Sequence, residues 1–129
     1  MTDKTRIVLG KRPPHIVKTV EFDMLDDAGH ATPQKLGAKY KYRTRREYGS
    51  FLAEMTEKGI GEPPKDMAEV MSRAVEANAA YLEAILTGWD LDVPMTRAAL
   101  EQLCDEMPGA ALALMAGYRD AIEQGRLGN

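Results

Sequence analysis

The sequence predicts an α+β fold: an N-terminal antiparallel β-hairpin packed with a bundle of about four α-helices. Three observations predict it. Apolar residues alternate from His15 to Leu25 and again from Leu36 to Arg43, the period lengthens to that of a helix at Thr44, and glycine and proline then cut the rest of the chain into four helical stretches. Residues 15–44 are the hairpin and residues 45–129 the helical part of a single domain spanning 1–129. Residues 1–14, with Pro13 and Pro14 in tandem, are expected as a loosely held or extended leading segment.

In the first strand Ile16, Val20, Phe22 and Met24 share one side and Val17, Thr19, Glu21 and Asp23 the other, with Lys18 the exception on the apolar side. Asp26, Asp27, Ala28 and Gly29 have turn composition. The second strand sets Leu36, Ala38, Tyr40 and Tyr42 against Gly37, Lys39, Lys41 and Arg43. One face of the hairpin is therefore buried and the other wet.

Thr44 followed by Glu47 matches a capping box, which starts the first helix near Arg45. Tyr48, Phe51, Leu52 and Met55 form its stripe, and Gly59 and Gly61 end it. Pro64 suits the first turn of the second and longest helix, whose stripe runs Met67, Val70, Met71, Ala74, Ala77, Asn78, Tyr81, Leu82 and Ile85, with Gly88 as its stop. Thr96 caps a short third helix carrying Leu100, Leu103, Cys104 and Met107, and Pro108 closes it and opens the fourth. That last helix is rich in alanine, presents Leu112, Leu114, Met115, Tyr118 and Ile122, and reaches a C-cap at Gly125.

With 44% apolar, 29% charged and 6% aromatic residues, the 129-residue chain has neither the composition of a disordered tail nor that of a membrane protein. Its core must be built largely from Leu, Met, Ala, Val and Ile. A net charge of -3 lacks the basic footprint of a general nucleic-acid binder. The lone Cys104 makes no internal disulfide, the charged start is unlike a signal peptide, and no apolar run approaches the roughly 20 residues of a spanning helix. A soluble cytoplasmic protein is expected.

Little in the chain has the spacing of a catalytic or metal site. Asp90 and Asp92 alternate like calcium ligands, but Val93, Pro94 and Met95 follow where a calcium loop needs further oxygen ligands and a glycine. They are expected as solvated or capping groups at a helix joint, with Trp89 folded back as an apolar anchor. His15 and His30 lack a ligand cluster, and Cys104 sits at an apolar helical position. In "KYKYRTRR", residues 39–46, strand alternation puts Tyr40 and Tyr42 opposite Lys39, Lys41 and Arg43, so the aromatics pack inward and the cations face water. No phosphate loop, serine elbow or zinc helix is present. The expectation is no enzyme, no catalytic residue, no cofactor and no metal. Eight methionines suit either core filling or an adaptable surface for a partner helix.

The order of "GKRPPHIVKTVEF", "YKYRTRREY" and the segment from Gly88 to Asn129, "GWDLDVPMTRAALEQLCDEMPGAALALMAGYRDAIEQGRLGN", resembles tail assembly chaperones of long-tailed bacteriophages and prophages over nearly the whole length. The resemblance implies a non-enzymatic protein of the host cytoplasm, absent from the mature virion. Such proteins bind the tape measure protein, keep it soluble and help recruit tail tube protein. In many relatives a programmed frameshift adds a longer minor form.

The contact surface is expected in the C-terminal half: Trp89, Leu91 and Met95 at the joint, with Met115, Tyr118 and Arg119 on the last helix, since aromatic, methionine and arginine residues are enriched at interfaces. Self-association is a further expected contact. Two alternatives stand beside this reading: a structural tail or connector protein retained in the virion, and a nucleic-acid-binding regulator using Lys39, Lys41, Arg43, Arg45 and Arg46.

Overall fold

The computed structural model describes residues 8–58 and 61–124, and among them the chain forms three strands and four helices. The expected helix stops at Gly59 and Gly125 lie outside the described residues. Strand β1 (Ile16–Leu25) pairs antiparallel with β2 (Ala31–Tyr40), Ile16 opposite Tyr40 and Leu25 opposite Ala31. The turn between them closes because Asp26 Oδ1 accepts from the amides of Ala28 and His30 at 2.9 and 2.8 Å, while Gly29 takes a φ of 83° that a side chain would resist.

The expected alternation fixes which side is buried. Ile16, Val20, Leu36, Ala38 and Tyr40 are in the core, whereas Val17, Thr19, Glu21 and Lys39 are exposed. Lys18 stays on the apolar side, half-buried, its ammonium 3.4 Å from the Gly117 carbonyl. Beyond Phe22 the ribbon runs past the helices, so Met24 and Leu25 are exposed although they continue the apolar composition. Strand β2 ends at Tyr40, and Tyr42 lies half-buried in the following segment.

Helix α1 (Arg45–Lys58) starts as the capping box predicts: the Thr44 amide donates to Glu47 at 2.9 Å and the Glu47 amide to the Thr44 hydroxyl at 3.2 Å. Helix α2 (Met67–Ile85) starts later than expected, which leaves Pro64 outside its first turn. Asp66 is the cap, accepting from the Glu69 amide, and Glu69 in return accepts from the Lys65 amide. The helix also stops early. Gly88 is not its terminator but part of a short strand, β3 (Leu86–Trp89), that completes the antiparallel order β1-β2-β3. The edge of β2 takes up these residues, with Thr87 bulged out between the pairs Lys39–Gly88 and Tyr40–Leu86.

Thr96 caps α3 (Arg97–Glu106) through its hydroxyl, and α4 (Pro108–Gln124) opens at the expected proline. Helix α4 lies on the buried face of the hairpin, chiefly on β1, and α3 lies along α2. The packed side of α4 is made of small residues, Ala110, Ala111, Gly117 and Ala121, around Leu114, Tyr118 and Ile122, while Leu112, grouped with these apolar residues by the sequence, is 61% exposed. Close backbone approach explains that rotation: at Gly117 an added Cβ would stand 2.6 Å from Val20 Cγ1 and 2.8 Å from the Tyr40 hydroxyl. Leu36, Leu82, Ile85, Leu100 and Leu114 are almost fully buried, each contributing about 1.5–3 kcal/mol of apolar transfer.

Candidate functional site

Three of the residues expected at a contact surface come together at the joint after α2. Trp89 is half-buried, and its indole N–H donates to the Val93 carbonyl at 2.8 Å, folding the loop back on itself. Met95 is half-buried beneath, and Leu91 and Val93 stand exposed at the tip. Asp90 is exposed and takes the capping role of the two expected for it. It accepts from the Gly37 amide at 2.9 Å while its own amide donates to the Gly37 carbonyl at 3.1 Å, which extends the sheet by one side-chain pair. Asp92 is exposed and makes no such bond among the described residues.

The three residues expected on α4 divide. Arg119 is exposed and Met115 half-buried. Tyr118 presents no surface: it is 0% exposed, its hydroxyl donates to the Lys41 carbonyl at 2.9 Å, and its ring meets those of Tyr40 and Tyr48. Burial pushes its hydroxyl pKa up. In this fold Tyr118 serves the interior, because the helix register that puts Gly117 on the sheet turns the next side chain into the core.

Arg43 also departs from expectation. Instead of facing water beside Lys39 and Lys41, its guanidinium lies 4.2 Å over the Phe51 ring and donates to the Ala84 carbonyl at 3.2 Å and the Tyr118 hydroxyl at 3.0 Å. The strand has ended by then, so alternation no longer governs its direction. A five-residue cationic strip is thereby interrupted, leaving Lys39, Lys41, Arg45 and Arg46 exposed. At the other end of the capping box, Arg12 reaches across from the leading segment to Glu47 at 2.6 Å and sits 5.3 Å from the Tyr42 ring.

One exposed apolar surface among the described residues lies on a line that helical spacing gives as a single stripe. On α2 the predicted line is buried only in its second half. Leu82 and Ile85 are buried and Asn78 and Tyr81 half-buried, but Met67 is 67% and Met71 58% exposed, with Ala74 and Ala77 exposed between them and the core. Helix α3 lies along α2, whose covered side includes the half-buried Val75 and the buried Ala79, neither of them in the predicted line. A groove of about 610 Å³ opens beside the exposed line, between Met55 and Lys58 of α1 and Arg73, Ala77 and Tyr81 of α2. Periodicity reports which residues share a stripe, and it carries no information on whether a neighbour covers the stripe along its whole length.

Cys104 is buried and its thiol pKa pushed up by that burial, which keeps it protonated. Among the described residues no group of three or more His, Cys, Asp or Glu is arranged to hold a metal ion. No described helix is long and apolar enough to cross a membrane. Compared with known proteins, the chain matches over residues 1–129 the profile of a family described as phage tail assembly chaperone. No curated protein and no solved structure matches it.

Proposed function

Because the chain belongs to the phage tail assembly chaperone family, we propose that it holds the tape measure protein in solution, brings tail tube protein to it, and does so without enzymatic chemistry. It acts in the host cytoplasm and is left out of the finished virion. The observation that carries this reading is the apolar line of α2, which continues out of the core as Met67, Met71, Ala74 and Ala77 beside an open groove. A long helical partner presents stripes of the same period, and unbranched methionine side chains adapt to them without a unique fit. Apolar surface of this kind on a small protein marks an interaction site.

Trp89, Leu91 and Met95 at the joint, with Met115 and Arg119 on α4, form the proposed second contact. The joint is held by the Trp89 and Asp90 bonds, so its exposed Leu91 is presented on a fixed loop.

The test is co-expression with a tape measure protein. Soluble tape measure protein is expected with the wild-type chain and much less with Met67→Glu/Met71→Glu, whose thermal unfolding should match wild type because both positions are exposed. Equal solubility with and without the chain would sink the proposal. So would recovery of the chain from purified particles by mass spectrometry, the outcome expected of a structural tail protein.

A further inference from the structure

The two edges of the sheet are finished differently. Next to the turn, the Asp26 amide bonds inward to the His30 carbonyl, so by the antiparallel ladder even-numbered residues of β1 bond to β2 and odd-numbered ones point their N–H and C=O outward. On β2 the outward side is covered from Gly37 to Tyr40 and stays open at Lys35, among the described residues. β3 covers it from Ala38 to Tyr40, Asp90 occupies both backbone groups of Gly37, and Pro33 has no N–H to offer. On β1 the outward groups of Val17, Thr19, Glu21 and Asp23 meet no hydrogen bond among the described residues. The strand runs ten residues without glycine, proline or bulge. Such an edge is a template for another strand.

We infer that a second copy of this chain pairs its β1 antiparallel to β1, about a twofold axis at Val20, and so continues the sheet from one protomer into the other. Charge selects the register. Centred on Val20, Thr19 of each copy faces Glu21 of the other and Val17 faces Asp23. Centring on Glu21 would set that acid against itself, and centring on Phe22 would set Glu21 against Asp23. A centre on Thr19 avoids acid pairs but shortens the overlap. The Val20 register also places Met24, 41% exposed in the single chain, beside Ile16 of the other copy on the apolar face. Helix α4 lies over β1 with Gly117 on Val20, so it covers the apolar face of the strand. The pairing is isologous and closes at two copies.

Sedimentation equilibrium of the full chain over a concentration series tests this. A dimer is expected, weakened on the order of tenfold by Thr19→Glu, which places acid against Glu21 twice per dimer. Adding Glu21→Lys to Thr19→Glu should restore it, because each introduced acid then faces an introduced base. Thr19 is exposed on the open face, so far-UV circular dichroism should be unchanged in both variants. A chain that stays monomeric at every concentration, or a dimer indifferent to both substitutions, overturns the inference.

Discussion

Asp90 closes the sheet against Gly37 from a loop more than fifty residues away, its carboxylate accepting one backbone bond at 2.9 Å and its amide donating the other at 3.1 Å. Asp90→Ala should cost about 1 kcal/mol, the net worth of one exposed charge-assisted bond. Gly37→Ala should cost about the same, since the new methyl would stand 2.8 Å from Asp90 Oδ2 and push the carboxylate off its partner. Both changes remove one interaction, so urea unfolding of the double variant should show less than the summed loss. Additive costs would mean that the two residues do not act through this bond.

Two glycines in helices should respond to alanine with opposite signs. Gly49 of α1 has no atom within 4 Å of its would-be Cβ, so Gly49→Ala should stabilise by about 0.5–1 kcal/mol through helix propensity alone. Gly117→Ala meets Val20 and the Tyr40 hydroxyl, which donates to the Leu114 carbonyl at 2.7 Å. Overpacking there, typically about 1–3 kcal/mol, should exceed the propensity gain and lower the melting temperature.

Arg43→Lys should be destabilising despite keeping the charge. The planar guanidinium stacks on Phe51 while bonding Ala84 and Tyr118 together, and an ammonium reproduces neither the stacking nor both bonds. A loss of about 1–2 kcal/mol is expected by chemical denaturation. Unchanged stability would show that Arg43 does not tie the segment after β2 to α1, α2 and α4.

Acid should release the capping box of α1. The Arg12 bond and the Thr44 amide hold the Glu47 carboxyl down to about 2, below its ordinary value of 4.5. A lowered pKa in the folded state contributes stability that is complete above the ordinary glutamate range and is lost as pH falls toward the folded value. Glu69, held down by the Lys65 amide and Arg73, has the same sign. The stability difference between wild type and Glu47→Gln should therefore shrink between about pH 5 and pH 2, measured by urea unfolding across that range. A difference independent of pH would exclude the link.

Elements whose signals are local were legible in the chain itself. The hairpin followed from alternation, α1 from the Thr44 and Glu47 pair, α3 from Thr96 and α4 from Pro108, because caps and turns are satisfied by neighbours in sequence. Strand β3 was not legible. Four residues between a helix and a loop have no period of their own, and only the free edge of β2 makes them a strand. Of the expected contact residues, Trp89 was recognisable as the anchor of the joint, whereas the burial of Tyr118 depends on how α4 is rotated against the sheet. The exposed Met67 and Met71 gave the same pattern as core residues.

The sequence by itself determined the α+β class, the family resemblance, the capped helix starts and the side of each strand that faces inward, since each rests on residues within a few positions of one another. Tertiary structure alone decided that Asp90 is a sheet-closing group, that Arg43 turns inward, and that α2 outruns its partners. These depend on which surfaces meet, and where a surface stops being covered is set by the lengths and angles of distant elements rather than by the stripe that they cover.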